Sequence, residues 1–318
     1  MKKKQDMVYR YIFGPVPSRR LGRSLGLDII PHKTCTLDCV YCECGRTTHL
    51  TVERKEYTPL GRIKKELETF LSPGPELDFI TFSGAGEPTL HSGIKEIIRF
   101  LKTAYPEYKL ALLTNGTLFN NSDTRSEILD LDLVKISMDA VYKKNFRRIN
   151  RPHRDLELTG IIEGVMALRK VFKKKFWVEV FLVSGYNDSD VELKQIRNVL
   201  NMLAPDRIQL NTLDRPGTEP WVKPVDAKVL TEIADYLYSA EVITYFKAEH
   251  NIQTVAEDFD ECLLATVKRR PCTADDIARV LDVDLNLVQR HLYALTKNGA
   301  ITQKEMPRGI FYMICQQI

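Results

Sequence analysis

The sequence predicts an α/β fold: a partial (β/α)6 barrel followed by a small winged-helix domain of the helix-turn-helix kind. Six short apolar runs alternate with helical patterns, and a polar segment follows each run. The last part of the chain instead has helical patterns followed by two short strands. Alternating strands and helices indicate βαβ units and a parallel sheet. We expect the barrel domain over residues 1–248, a junction over 249–261 and the winged-helix domain over 262–318.

The six apolar runs are the predicted strands of the barrel, because short apolar runs bounded by turn residues are typical of buried strands. Helical periodicity occupies most of the gaps between them. The predicted strands are Leu25–Ile30, Asp78–Phe82, Lys109–Leu113, Leu133–Ser137, Val178–Val183 and Arg207–Asn211. The predicted helices include Leu60–Leu71, Ser92–Thr103, Thr159–Phe172 and Val191–Leu203.

Every predicted strand is followed by residues rich in Gly, Asn, Asp, Ser or Cys. Such residues mark turns, and a turn explains any one of these segments taken alone. Loops at the carboxyl ends of barrel strands also build the active sites of barrel enzymes. Six such loops in register favour a shared site at one end of the barrel. After the cysteine loop that follows the first strand, the segments are 83–89, 114–116, 137–139, 184–188 and 211–217.

Cys35, Cys39 and Cys42 form a C-x3-C-x2-C run with an aromatic residue before the last cysteine. Three thiolates in one loop can hold three irons of a [4Fe–4S] cluster. A fourth cysteine at one of the usual close spacings is not evident, so one iron is left open for another ligand. The alternatives are a zinc knuckle or a redox thiol pair. Zinc sites usually need a second ligand pair, which this loop lacks.

The cysteine run resembles the signature of the radical S-adenosylmethionine (radical SAM) superfamily, and the resemblance extends over most of the chain. It implies two cofactors, a [4Fe–4S] cluster held by Cys35, Cys39 and Cys42 and S-adenosylmethionine chelated by the open iron. It also implies reductive cleavage of S-adenosylmethionine to a 5′-deoxyadenosyl radical that abstracts hydrogen from a substrate.

The same resemblance implies the residues that contact S-adenosylmethionine. A glycine-rich segment after the second strand lets the backbone approach a ligand closely. An aromatic residue within the cysteine run lies near the adenine in the family, and polar residues after the third and fourth strands contact the ribose or the methionine carboxylate. No residue is assigned as the catalytic acid or hydrogen donor. The expected cofactor-binding residues are Tyr41, Gly84, Ala85, Gly86, Glu87, Asn115, Ser137 and Asp139.

The segment Phe13–Gly26, taken together with residues 44–48, resembles a subgroup of uncharacterised radical SAM proteins classed beside the wyosine-base synthases, which modify transfer RNA. Wyosine synthases carry additional cysteines before the radical SAM motif, whereas no cysteine precedes Cys35 here. That difference weighs against the wyosine reaction itself. The role of Cys44 stays open, and the three later cysteines lack cluster spacing.

Composition sets broad limits on the protein's class. The chain has 318 residues, 44% of them hydrophobic and 28% charged, and a net charge of +4. These values are ordinary for a globular protein. The sequence has no signal peptide and no apolar run long enough to span a membrane. Seven cysteines without a paired framework fit a reducing compartment, so we expect a cytoplasmic protein.

The C-terminal pattern predicts a winged helix. Thr273 caps a helix over Ala274–Leu281, a second helix follows over Leu285–Lys297, and two strands form the wing. Helix-turn-helix modules often bind DNA. Eight basic residues against five acidic ones after residue 261 give a weak charge surplus for that role. Docking of a substrate or partner is therefore the preferred function of this domain.

The leading hypothesis is a radical SAM enzyme whose substrate is an RNA base or a protein or peptide side chain. Its electron donor would be of the flavodoxin or ferredoxin type. One alternative is an iron–sulfur regulator that binds DNA through the winged helix. Another is an activase of a glycyl-radical enzyme. Loops at six strand ends are not needed by a simple sensor, and activases are typically shorter chains.

Overall fold

A computed structural model of the protein describes residues 9–18, 21–243, 259–281 and 283–315. The described strands occupy both the main sheet and two small sheets. They are β1 (Ile12–Ser18), β2 (Gly22–Asp28), β3 (Thr34–Cys35), β4 (His49–Leu50), β5 (Phe79–Ser83), β6 (Lys109–Thr114), β7 (Leu133–Ser137), β8 (Lys175–Leu182), β9 (Arg207–Thr212), β10 (Glu241–Val242), β11 (Ile301–Met306) and β12 (Gly309–Ile314).

The described helices mostly connect successive strands. They are α1 (Leu60–Leu71), α2 (Ile94–Ala104), α3 (Ser122–Glu127), α4 (Lys143–Ile149), α5 (Leu158–Val171), α6 (Asp190–Leu203), α7 (Ala227–Tyr236), α8 (Phe259–Arg269), α9 (Ala274–Leu281) and α10 (Leu285–Lys297). A short 3₁₀ helix spans Pro88–Leu90. No helix in the described ranges is long and apolar enough to cross a membrane.

Eight strands form one sheet in the order β1-β2-β5-β6-β7-β8-β9-β10. Strands β2 to β10 run parallel, and β1 is antiparallel to β2. Within the described part of the chain β1 and β10 do not pair with each other, so the sheet stays open. The α/β class and the parallel sheet predicted from the sequence are confirmed.

All six predicted strands are present, with small shifts in their ends, whereas β1 and β10 were not predicted. Strand β1 contains Pro15 and Pro17, which cannot donate to a neighbouring strand and so hide the strand pattern. Proline is tolerated there because β1 is an edge strand of the sheet. Strand β10 is only two residues long and carries too little pattern to detect.

The two faces of the sheet have different roles. On β7, Val134 and Ile136 belong to the main apolar core, which also includes Val165 and Leu168 of α5. Residues alternate between faces along a strand, so Lys135 faces the opposite side, where its Nζ lies 2.9 Å from Glu179 Oε2 on β8. The helices cover the outer face, and the inner face leads to the loops at the carboxyl ends.

The C-terminal helices α8 to α10 and the antiparallel hairpin β11–β12 have an apolar core of their own, which includes Leu263, Ile277 and Leu292. Helix α8 begins at Phe259, inside the predicted junction, and residues 244–258 of the predicted barrel domain and junction lie outside the described residues. As predicted, Thr273 caps α9, since its hydroxyl accepts the Asp276 N–H at 3.2 Å.

Candidate active site

The cysteine loop leaves β2 and folds back on itself. Cys35 lies on β3, which pairs with β4, and the Thr51 N–H donates to the Cys35 carbonyl at 2.9 Å. The Cys42 N–H donates to the Cys39 carbonyl at 3.1 Å, which makes a tight turn between these two cysteines. The loop therefore presents its three predicted cluster cysteines from one compact segment.

Each of the three cysteine sulfurs has a side-chain nitrogen donor beside it. Asn115 Nδ2 lies 3.7 Å from Cys35 Sγ, and Asn150 Nδ2 lies 3.4 Å from Cys39 Sγ. Lys33 Nζ lies 3.0 Å from Cys42 Sγ. Donors directed at sulfur favour the thiolate form, which is the form that binds metal. The donors come from three different parts of the chain.

Burial is the main influence on the two deeper cysteines. It raises the pKa of Cys35 to about 12, and the charges of Glu87 and Cys42 contribute to that increase. Burial also raises the pKa of Cys39, to which the charges of Asp139 and Cys42 add. Because Cys42 influences both other cysteines, the three thiols form one electrostatic group. Metal binding to Cys35 and Cys39 must therefore release protons.

Cys42 differs from the other two cysteines. The hydrogen bond from Cys44, together with the charge of Lys33, lowers the pKa of Cys42 to about 6 although burial opposes this. Lys33 and Cys44 are thus the immediate neighbours of this sulfur.

A cavity of about 210 Å³ lies at the carboxyl ends of the parallel strands. Cys35 and Cys39 line it, together with six of the eight residues that the sequence predicted to bind S-adenosylmethionine. Apolar side chains of α5 also line it. The six predicted residues are Tyr41, Gly86, Glu87, Asn115, Ser137 and Asp139.

The remaining two predicted residues, Gly84 and Ala85, lie beneath the cavity wall. Gly84 has φ +123°, and a Cβ there would come within 2.2 Å of Asp28 Oδ1. The Ala85 carbonyl accepts the Lys33 N–H at 2.7 Å. A Cβ on Gly86 would lie 2.3 Å from the Thr34 carbonyl oxygen. Glycine at 84 and 86 thus allows this segment to pack against the start of the cysteine loop.

Glu87 is buried and accepts hydrogen bonds through both carboxylate oxygens. Its Oε1 accepts the hydroxyls of Thr89 and Thr114, each at 2.7 Å. Its Oε2 accepts the Asn115 N–H at 2.8 Å. Burial raises the pKa of Glu87. The side chain therefore joins the end of β5 to the end of β6 and orients Asn115 beside the cysteines.

Asp139 makes the equivalent connection between β7 and β8. Its Oδ2 accepts the Tyr41 hydroxyl and Asn150 Nδ2, the latter at 2.8 Å, and its Oδ1 accepts the Phe181 N–H at 2.9 Å. The rings of Tyr41 and Phe181 stack with centroids 3.8 Å apart. Asp139 therefore holds the cysteine-loop tyrosine against the end of β8.

The loop after β9 closes over the cysteine loop. The Thr218 hydroxyl lies 2.7 Å from the Val40 carbonyl and 3.0 Å from the Cys39 carbonyl. Preceding it, Arg215 contacts Glu43 at 3.5 Å and Asp276 of α9 at 2.8 Å. The C-terminal helices are therefore connected to the cysteine loop through one buried arginine.

The donor set suits an iron–sulfur cubane. Among the described residues no three His, Cys, Asp or Glu side chains converge on a single metal ion. A cubane binds each cysteine at a separate iron corner, so its ligands need not share one point. The three cysteines, each with a donor directed at its sulfur, fit such a cluster. The glycine segment beside them packs closely because Gly84 and Gly86 lack a Cβ.

The sequence did not reveal the roles of Lys33, Asn150 or Phe181. Lys33 lies two residues before Cys35, but the sequence does not show that its side chain is buried. Asn150 and Phe181 meet the cysteine loop only through the tertiary fold, so no local pattern indicated them.

The comparisons with known proteins agree with this geometry. A family model for the radical SAM superfamily matches residues 29–195, more than half of the chain. The UPF0026 protein MJ1312 of Methanocaldococcus jannaschii is 33% identical over 307 residues, covering 95% of each chain. A protein of Brachyspira hyodysenteriae named GTPase Obg is 33% identical over 315 residues, but the chain spans only 46% of its length.

Among solved structures, a radical SAM methyltransferase from Sphaerobacter thermophilus is similar in fold. The TM-score is 0.52 at 15% sequence identity, with 69% of this chain and 65% of that chain covered. That likeness concerns the fold alone. The family model and the UPF0026 relative carry the assignment: the chain belongs to the radical SAM superfamily, within its UPF0026 relatives, and its cofactors are a [4Fe–4S] cluster and S-adenosylmethionine.

Proposed function

We propose that this protein is an enzyme that cleaves S-adenosylmethionine reductively at a cluster held by Cys35, Cys39 and Cys42. When bound, the two cofactors supply a 5′-deoxyadenosyl radical that abstracts hydrogen from the substrate. The observation that carries the proposal is the single cavity lined by Cys35, Cys39 and six of the expected cofactor residues. Membership of the superfamily implies an enzyme.

The chain's own residues bind and orient S-adenosylmethionine in this proposal. Gly86 lines the cavity, and its missing Cβ lets the segment at the end of β5 pack against the start of the cysteine loop. Asn115 and Ser137 present polar side chains to the cavity. Glu87 and Asp139 act indirectly, by positioning the residues around the cofactor. Their oxygens already accept hydrogen bonds from neighbouring residues.

The apolar wall of the cavity has a protective role. Leu158, Ile161 and Val165 of α5 line the cavity, and Cys35 and Cys39 pack against the apolar cluster that contains Leu158 and Ile161. A water-poor wall limits side reactions of a reactive intermediate. The electron that starts the reaction comes from a flavodoxin or ferredoxin type of donor, which is a proposal from the superfamily alone.

The substrate is proposed to be an RNA base or a protein or peptide side chain, and one surface feature favours RNA. The Arg148 guanidinium lies 4.8 Å from the ring centroid of Tyr186, and the Tyr186 ring lies 4.8 Å from that of Trp221. Arginine planes and aromatic rings stack on unpaired bases. Tyr186 and Tyr41 both pack against the apolar cluster that contains Val40, so this platform lies beside the cysteine loop.

The RNA preference has its own test. We expect Trp221→Ala to weaken binding of a fluorescent single-stranded RNA by about 1–3 kcal/mol, the range of one base–aromatic stack. Tyr236→Ala, an aromatic of α7 with the same exposed fraction as Trp221, 38%, is the matched control. Equal RNA affinity in wild type and Trp221→Ala would favour a peptide substrate.

The C-terminal helices and hairpin are proposed to be a winged-helix domain that docks a substrate or partner. Two observations support docking over DNA binding. Met306, at the end of β11, packs against the apolar cluster of Phe181 and Leu213 in the barrel. Arg308, in the hairpin turn, donates to Asp214 and Asp276. The tip of the hairpin therefore contacts the barrel, and its cation Arg308 is already paired with carboxylates of the same chain.

The decisive experiment is anaerobic. Purified protein is reconstituted with iron and sulfide, dithionite and S-adenosylmethionine are added, and 5′-deoxyadenosine and methionine are quantified. Wild type and Cys262→Ala, an exposed cysteine outside the cavity, should form both products, whereas Cys39→Ala should form neither.

A reducible cluster without product from wild type would contradict the enzyme proposal. It would favour the iron–sulfur regulator, and DNA binding by the C-terminal domain would then be measured. Product formed only in the presence of a glycyl-radical protein would instead favour the activase.

A further inference from the structure

Lys33 is a buried cation with no assigned role. Its relative exposure is 4%, and its Nζ lies 3.0 Å from Cys42 Sγ. Among the described residues its side chain makes no ion pair with a carboxylate, and the acceptor beside its ammonium group is the Cys42 sulfur. A buried ammonium is costly unless it is paired. The sulfurs of the cysteine loop are therefore its counter-charge.

The backbone of Lys33 is fixed on both sides, so this contact is built into the loop. Its N–H donates to the Ala85 carbonyl at 2.7 Å, and its carbonyl accepts the N–H groups of Thr48 and His49, each at 3.1 Å. Its φ of 56° is in the left-handed region that a non-glycine residue rarely adopts. This strained residue aims the side chain toward Cys42.

The donors at the three sulfurs are not equivalent. Asn115 and Asn150 provide neutral amide groups to Cys35 and Cys39, whereas Lys33 provides a full positive charge. The potential of an iron–sulfur cluster depends on net charge and on hydrogen bonds to its sulfurs. A cubane on three thiolates is anionic in its oxidised form, and reduction adds a further electron. A cation beside one sulfur favours the reduced form.

We propose that the positive charge of Lys33, 3.0 Å from Cys42 Sγ, tunes the cluster, raising its reduction potential and stabilising the anionic cluster at Cys42. The inference rests on the proposed cluster at Cys35, Cys39 and Cys42. The step it affects is a one-electron reduction, in which the electron comes from the external reductant. Lys33 does not line the cavity at the carboxyl ends of the strands, so its proposed effect is on the cluster.

The test compares charge, hydrogen bonding and shape at this position. Lys33→Met removes both charge and donor, Lys33→Gln keeps a neutral donor, and Lys33→Arg keeps the charge. Lys95→Met, on the exposed face of α2, makes the same substitution away from the loop. Each reconstituted protein is analysed for iron and sulfide, and its cluster is titrated potentiometrically with detection by electron paramagnetic resonance.

We expect Lys33→Met and Lys33→Gln to shift the reduction equilibrium at least tenfold toward the oxidised cluster, which is about 59 mV for a one-electron couple. An opposite charge within about 4–6 Å shifts a protonation equilibrium by about one to three powers of ten, and the tenfold shift expected for reduction lies at the low end of that range. Lys33→Arg and Lys95→Met should stay close to wild type. Loss of iron from Lys33→Met and Lys33→Gln, but not from Lys33→Arg, would also support the proposal.

Two results would overturn it. One is an unchanged potential and iron content in Lys33→Met. The other is loss of iron from all three Lys33 variants, which would mean that the shape of lysine and not its charge holds the loop. Failure of the wild type to assemble any cluster would instead refute the proposed function, so the two failures are distinguishable.

Discussion

Arg215, in the loop after β9, donates to Asp276 of α9 at 2.8 Å, and both side chains are almost fully buried. Arg308 of the hairpin turn donates to the same carboxylate at 3.0 Å. On its other side Arg215 contacts Glu43 of the cysteine loop. One carboxylate thus connects the C-terminal helices, the hairpin and the loop that carries Cys42.

Asp276→Ala should release this connection. Removing one partner of a buried ion pair costs about 3–5 kcal/mol because the remaining charge is left uncompensated. We therefore expect a lower free energy of unfolding and faster proteolysis between the barrel and α8. Denaturant unfolding and limited trypsin digestion measure these effects. Asp275→Ala, the exposed neighbour on α9, is the control, and equal stability of the two variants would show that the pair contributes little.

The same carboxylate predicts a dependence of stability on pH. Burial opposes ionisation of Asp276, but the hydrogen bond from Arg308 and the charge of Arg215 outweigh it and hold the pKa well below its ordinary value of 3.8. A depressed pKa stabilises the fold above the ordinary value, and this stabilisation is lost as the pH falls toward the folded-state pKa. The difference in unfolding free energy between wild type and Asp276→Asn should be constant near neutral pH and should shrink below about pH 4. A difference that grows on acidification would contradict the assignment.

The sequence predicted the repeated parts of the fold well. Strand β7 and helix α1 have the predicted bounds, because apolar runs and helical periodicity are local properties of the chain. The cofactors were expected from the resemblance of the cysteine run to the radical SAM signature. The edge strand β1 was missed because Pro15 and Pro17 disguise it.

The parts of the site that escaped prediction depend on long-range contacts. Asn150 reaches Cys39 across 111 residues of chain, and Arg215 reaches Asp276 across 61. No periodicity or motif records such a pairing. Lys33 lies next to the cysteine run in the sequence, but a lysine near cysteines is uninformative until the fold shows that it is buried.

Glu87→Gln should weaken the link between β5 and β6. The amide keeps one acceptor oxygen but replaces the other with a donor that faces N–H or O–H groups, so at least one hydrogen bond to Thr114 or Asn115 is lost. We expect a loss of about 1–3 kcal/mol, the cost of an unsatisfied buried polar group. Chemical denaturation measures it. Glu68→Gln, on the exposed side of α1, should be neutral, and a matching loss there would remove the argument from hydrogen bonding.

Gly86→Ala should damage the cofactor site directly. The added Cβ would lie 2.3 Å from the Thr34 carbonyl oxygen, which is backbone adjoining Cys35 and cannot simply rotate away. The glycine segment or the cysteine loop must therefore shift, and we expect at least a tenfold loss of S-adenosylmethionine affinity, about 1.4 kcal/mol. Isothermal titration of the anaerobically reconstituted protein measures this affinity.

Gly160→Ala is the matched control for that substitution. Gly160 lies in α5, and a Cβ there meets no atom within 4 Å. Alanine in a helix interior is about 0.5–1 kcal/mol more favourable than glycine, so this variant should keep its affinity and gain slightly in stability. Unchanged S-adenosylmethionine binding by Gly86→Ala would mean that the ligand does not depend on close packing of the glycine segment against the cysteine loop. The proposed position of S-adenosylmethionine at the end of β5 would then be wrong.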